Sequence, residues 1–138
     1  MEHANSIEEW LAVAAQHERV AQLTVHDPIA RAQAFQACGF AVECLLKATI
    51  FKVERMNAWP SREARRDVYT HDLRKLLQIA RIQLTESDPR APSWLVVLQW
   101  DRNQGYAPKP MPAKVAEGML EATFGPEGVA TWLRLNLM

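Results

Sequence analysis

The sequence predicts an all-α helical bundle, and three observations carry that prediction. The first is Ala34 to Val53, AFQACGFAVECLLKATIFKV. At about 100° per residue it sets Phe35, Cys38, Val42, Leu45, Leu46, Thr49 and Val53 on one side, the i, i+3, i+4, i+7 pattern of a core-facing helix. The second is that further segments repeat this period behind residues suited to helix caps. The third is that WLVVLQW, at Trp94 to Trp100, has a β-branched pair but no other strand in the chain to join, so it too reads as helix.

The central stretch is apolar on its opposite side as well, where Ala37, Phe40, Cys44, Ala48 and Phe51 fall. A helix apolar nearly all round is covered on more than one side, so it lies at the centre of the bundle or faces a second copy of the protein. Between the two sides runs a seam of Gly39, Glu43 and Lys47 at i, i+4, i+8. Exposed, the acid and base would form an intrahelical pair contributing only ~0.2–0.5 kcal/mol. Charged groups inside an apolar helix need partners, so Glu43 and Lys47 are either a structural polar network or candidate ligand-binding residues.

Along the chain, Asn5 or Ser6 caps a first helix, with Ser6-x-x-Glu9 as a capping box, an apolar face of Ile7, Trp10, Ala14, His17 and Ala21, and an end near Asp27-Pro28. His17 on that face is a ligand, a base or a hydrogen-bonded core histidine. The second helix runs from about Ile29 to Arg55. Asn57 to Asp67 is a connector with room for a short helix after Pro60; its basic cluster Arg62, Arg65 and Arg66 is a phosphate contact or a solvated face balanced by Glu63 and Asp67. Thr70 then caps a helix from His71 to Leu84, with Asp72 in its first turn. Ser93 caps a short helix reaching Asp101 or Arg102. Asp101 to Pro112, DRNQGYAPKPMP, with three prolines at alternate positions, reads as an extended surface loop, the kind of segment that carries sites. Pro112 opens a helix to Phe124, Gly125-Pro126 breaks it, and a last helix carries Val129, Trp132, Leu133 and Leu135.

With 138 residues the chain reads as a single domain, residues 1–138. Sixteen basic and sixteen acidic residues cancel, which excludes a strong nonspecific polyanion binder and leaves only a local nucleic-acid site. Cys38 and Cys44 lie on different sides of one helix and read as buried thiols of a reducing compartment. The N-terminal MEHANSIEEW lacks the basic and apolar blocks of a secretion signal, and Glu43 and Lys47 interrupt the longest apolar run, leaving it short of a membrane span. A cytoplasmic protein is expected. His3, His17, His26 and His71 have no ligand spacing and no glycine-rich phosphate loop is present, so neither a metal nor a cofactor is expected.

Three pieces, in order, resemble the HEPN domain: GFAVECLLKA at Gly39 to Ala48, THDL at Thr70 to Leu73, and WDRNQGY at Trp100 to Tyr106 with the prolines after it. The likeness spans roughly Ala30 to Pro112. It implies an up-and-down bundle of four to five main helices, with the short C-terminal helices outside it, and association with nucleotides or RNA. It also implies a homodimer with a cleft at its interface, or a partnership with a small nucleotidyltransferase in a two-gene toxin–antitoxin module. Catalytic members of that family are metal-independent ribonucleases with arginine, four to six residues, then histidine late in the bundle. Here Arg102 and Asn103 match the start of such a motif, but Ala107, Pro108 and Lys109 stand where the histidine belongs. Arg66-x4-His71 satisfies the bare spacing between the wrong helices. The resemblance therefore implies a non-catalytic module using Arg102, Asn103 and Tyr106 with Glu43 and Lys47 for a ligand or partner; the alternative is a ribonuclease with a rearranged site in which Arg66 and His71 are candidates.

Overall fold

The computed structural model describes residues 3–138, so the first two residues of the acidic N-terminal stretch lie outside it. Among these residues the chain is an all-α bundle: α1 (Ile7–Thr24), α2 (Arg31–Val53), α3 (Leu73–Ile79), α4 (Ala91–Val97), α5 (Ala113–Phe124) and α6 (Val129–Leu137), with 3-10 turns at Arg66–Val68 and Arg102–Tyr106.

Helix α1 starts where its cap predicts. Ser6 is extended and its Oγ accepts the Glu9 N–H at 3.1 Å. The return bond reaches one residue further out than a capping box requires, since Glu9 Oε1 accepts the Asn5 N–H at 2.7 Å. Trp10, Ala14 and Ala21 are buried on the face that meets α2.

Helix α2 is the axis of the bundle. It packs against α1, α3, α5, α6 and the Arg102–Tyr106 turn, and both of its apolar sides are buried: Val42, Leu45 and Leu46 on one, Ala37, Cys44, Ala48 and Phe51 on the other. Of the two sequence alternatives it is therefore the central helix, covered by its own chain. Each of the fully buried Leu45, Leu46 and Ile50 contributes about 1.5–3 kcal/mol through burial. The expectation that this run falls short of a membrane span needs correcting. By length and composition α2 could cross a bilayer, but 89% of its most apolar window is buried inside the bundle. Burial pushes the Cys38 and Cys44 thiols up to about 12, in keeping with inert core groups.

The middle of the chain departs more from expectation. Helix α3 begins after Asp72, whose Oδ1 accepts the Arg74 and Lys75 N–H groups, while Thr70 sits two residues earlier with its Oγ1 accepting the Asp72 N–H. It ends at Ile79 instead of Leu84, because Arg81 turns left-handed at φ 61° and the Ile82 N–H returns to the Leu77 carbonyl. Helix α2 closes the same way, with Arg55 at φ 53° and the Met56 N–H on the Phe51 carbonyl. Both are the left-handed closure that glycine normally provides. Helix α4 starts at Ala91, with Pro92 in its first turn and Ser93 inside it, and stops at Val97. The Arg65 fork joins the connector to the end of α2, donating to Glu54 at 2.6 and 3.0 Å and to Asp67 at 2.9 Å. Those bonds hold both carboxyls below their usual range and settle Arg65 as an internal clamp.

Candidate functional site

The polar seam of α2 is where three separate segments converge. Glu43 and Lys47 are buried and paired, with Lys47 Nζ 3.0 Å from Glu43 Oε2 and 5.5 Å from the centroid of the Trp10 ring. The other Glu43 oxygen, Oε1, lies 2.7 Å from Nδ1 of His71, which follows Thr70 just ahead of α3. The His71 side chain is 44% exposed and that of Glu43 only 7%, so the histidine can meet a solute and the carboxylate cannot. With Nδ1 engaged by Glu43, Nε2 is the ring nitrogen left for chemistry.

One turn toward the N-terminus, the seam receives the Trp100–Tyr106 segment. A methyl group on Gly39 would occupy the space of the Trp100 indole, so glycine is what allows that ring to seat on α2. Trp100 is buried, and its ring also meets Phe40 edge-on at 5.2 Å. Gln36, a further three residues back and buried, donates from Nε2 to the Asp101 carbonyl at 3.2 Å. The expected loop is in fact a 3-10 turn over Arg102–Tyr106. Asp101 Oδ1 accepts the Asn103 N–H at 2.8 Å and Gln104 Oε1 accepts the Asp101 N–H at 2.9 Å, so the turn carries its own capping box; the prolines that forbid regular structure come after it.

Between these two attachments opens a cleft of about 630 Å³, lined by Thr70, His71, Asp72 and Arg74 on one wall and Leu98, Trp100, Asp101, Arg102 and Asn103 on the other. The sequence-predicted residues thus divide. His71, Arg102 and Asn103 share the cleft, Glu43 and Lys47 stand behind His71, and neither Arg66 nor Tyr106 lines it. Arg66 lies on the 3-10 turn of the connector, and Tyr106 is 77% exposed. Sequence reasoning missed Arg74, hidden among the charges of α3, and Gln36, although Gln36 extends the polar seam one turn back. The carboxylates of Asp72 and Asp101 cap backbone N–H groups. The guanidiniums of Arg74 and Arg102 form no ion pair among the described residues.

His17 is not part of the cleft. Its ring stacks on Phe40 at 5.4 Å and an interplanar angle of 24°. Burial lowers its pKa from 6.5, with the nearby Glu43 charge opposing the shift.

Chemically, the cleft offers two guanidiniums without an ion-pair partner among the described residues, an amide and an oriented imidazole, groups that bind a phosphate oxygen and can move a proton beside it. Comparison with protein-family models, with curated proteins and with solved structures gives no match to this chain.

Proposed function

We propose that the protein is a HEPN-like binding module that holds the phosphodiester of RNA, or the phosphate of a nucleotide, in the cleft between His71 and Arg102, working as a homodimer or beside a nucleotidyltransferase-type partner. The observation that carries this reading is the convergence of Arg74, Arg102, Asn103 and His71 on one open cleft with both guanidiniums unpaired among the described residues. Arginine matches a phosphate with two parallel hydrogen bonds, and an imidazole or amide supports a neighbouring oxygen. A local site of this kind suits a chain with no net charge, since few phosphates are engaged. The test is fluorescence anisotropy with a labelled single-stranded RNA in low salt. Arg102→Ala is expected to weaken binding about tenfold and Arg66→Ala to leave it unchanged. Equal binding by wild type and an Arg74→Ala/Arg102→Ala double variant would falsify the reading.

A second reading, a metal-independent endoribonuclease, is favoured by the 2.7 Å contact between Glu43 and His71. A buried carboxylate that fixes an imidazole leaves Nε2 able to take the proton of a 2′-hydroxyl, whose oxygen attacks the adjacent phosphorus and displaces the 5′-oxygen, which takes a proton from water and leaves as the 5′-hydroxyl. Arg102 or Arg74 would carry the developing charge. This reading expects RNA to be cut in excess EDTA, leaving 2′,3′-cyclic phosphate ends, and the activity to be lost in His71→Ala. Intact RNA after prolonged incubation with wild-type protein returns the cleft to binding alone.

A further inference from the structure

A second cavity of about 450 Å³ lies where the residues ahead of α1 meet the connector after α2. Its walls include His3, Asn5, Glu9, Trp59 and Tyr69, none of which lines the His71 cleft. We propose that this cavity binds an organic ammonium cation, a site independent of the RNA reading.

The walls supply the two features that such a ligand needs. Aromatic rings meet there at crossed angles: His3 stands edge-on to Tyr69 at 5.8 Å and 83°, and Trp59 tilts against Tyr69 at 6.5 Å and 49°. Rings arranged around a corner turn faces in different directions, and each face attracts positive charge through its quadrupole. Tyr69 already does so within the protein, because the Arg62 guanidinium, itself no wall of the cavity, lies 5.4 Å from its ring centroid. The counter-charge is Glu9. Its Oε1 accepts the Asn5 N–H at 2.7 Å, which fixes the carboxylate at the cavity and leaves the second oxygen for a ligand.

The site is also built before any ligand arrives. Asn5 Oδ1 accepts the Trp59 N–H at 2.6 Å, the Tyr69 hydroxyl donates to the Pro60 carbonyl at 2.6 Å, and Trp59 packs edge-on against the buried Trp10 at 5.1 Å. Walls fixed in this way lose little freedom on binding, which favours a small ligand with few contacts. An anion meets the Glu9 charge, and a neutral apolar group forgoes both the carboxylate and the ring quadrupoles. The chemistry that remains is alkylammonium, with methyl or methylene groups against the rings and the charge toward Glu9. A free quaternary amine and an alkylated lysine side chain share it.

The experiment follows the Trp59 indole N–H by NMR in the full chain during titration with choline, with 3,3-dimethyl-1-butanol, which has the same shape without charge, and with a trimethyllysine amide. Choline and the amide are expected to shift the indole saturably and the alcohol to leave it unmoved; the tighter of the two ammonium ligands identifies the source. Glu9→Gln keeps the acceptor for Asn5 and should weaken both about five- to tenfold. Trp59→Leu should abolish binding, and because Trp59 also packs on Trp10, Glu9→Gln is the decisive variant. The proposal is overturned if the alcohol binds as well as choline, if Glu9→Gln changes neither ammonium ligand, or if neither ligand moves the indole at about 10 mM.

Discussion

Glu43 has one oxygen for Lys47 and one for His71, which makes it the residue on which the interior and the cleft depend together. Replacing it with glutamine keeps the volume but leaves the Lys47 ammonium buried beside an uncharged amide. Removing one member of a buried pair costs about 3 kcal/mol, so Glu43→Gln should lower unfolding free energy by that order in a urea titration. Adding Lys47→Met should restore most of the loss. If the cleft only binds, RNA affinity per folded molecule stays at the wild-type level, because the glutamine oxygen can still accept from His71 Nδ1 and so hold the imidazole in place; a drop there would show that the Glu43 charge acts on the ligand through His71. The sequence marked His71, Arg102 and Glu43 one at a time. It could not bring them together, because His71 lies 28 positions from Glu43 and their contact depends on where α3 starts. Spacing instead suggested Arg66 with His71, and the 3-10 turn that buries Val68 keeps Arg66 off the cleft wall.

At the level of elements, the placement of Arg102 rests on the seat that Gly39 makes for Trp100. Gly39→Ala drives a methyl group into a buried indole, and overpacking of this kind costs about 1–3 kcal/mol. Since alanine favours helix over glycine by about 1 kcal/mol, any net loss reports the clash. Differential scanning calorimetry should show a lower Tm, and the anisotropy assay should show weaker RNA binding through displacement of the Arg102–Tyr106 turn. A Tm at or above wild type would mean that Trp100 can move without cost. Helices with ordinary caps or breakers, α1, α5 and α6, were legible to within a few residues. The C-terminal end of α3 was not, because its stop is an arginine in a left-handed conformation; its start, capped by Asp72 where Thr70 offered an equal signal, came within two residues.

For the whole molecule, the pH dependence of stability should carry the signature of His17. Burial lowers its pKa below 6.5, so the unfolded chain takes up a proton at a pH where the folded chain does not. Its contribution is fully present above about pH 6.5, is lost as the pH falls through that value, and levels off below the folded pKa. Urea midpoints at about pH 7.5 and about pH 5.5 should therefore differ less in His17→Gln than in wild type. An unchanged difference would assign the acid sensitivity elsewhere. The bundle itself was legible because the period of α2 and its second apolar side demand cover from several directions. What covers that side was not legible, since either this chain's later helices or a second copy satisfies the same pattern. The cover proves to come from both ends of the chain, α1 before it and α3, α5 and α6 after it. A ribosome completes α2 after α1 but while those later helices are still unmade, so the side that α3, α5 and α6 cover stays open during that interval. The nascent chain thus carries its most adhesive segment half-covered until α5 and α6 emerge, so the order of synthesis makes the C-terminal helices the shield that closes its last exposed apolar side.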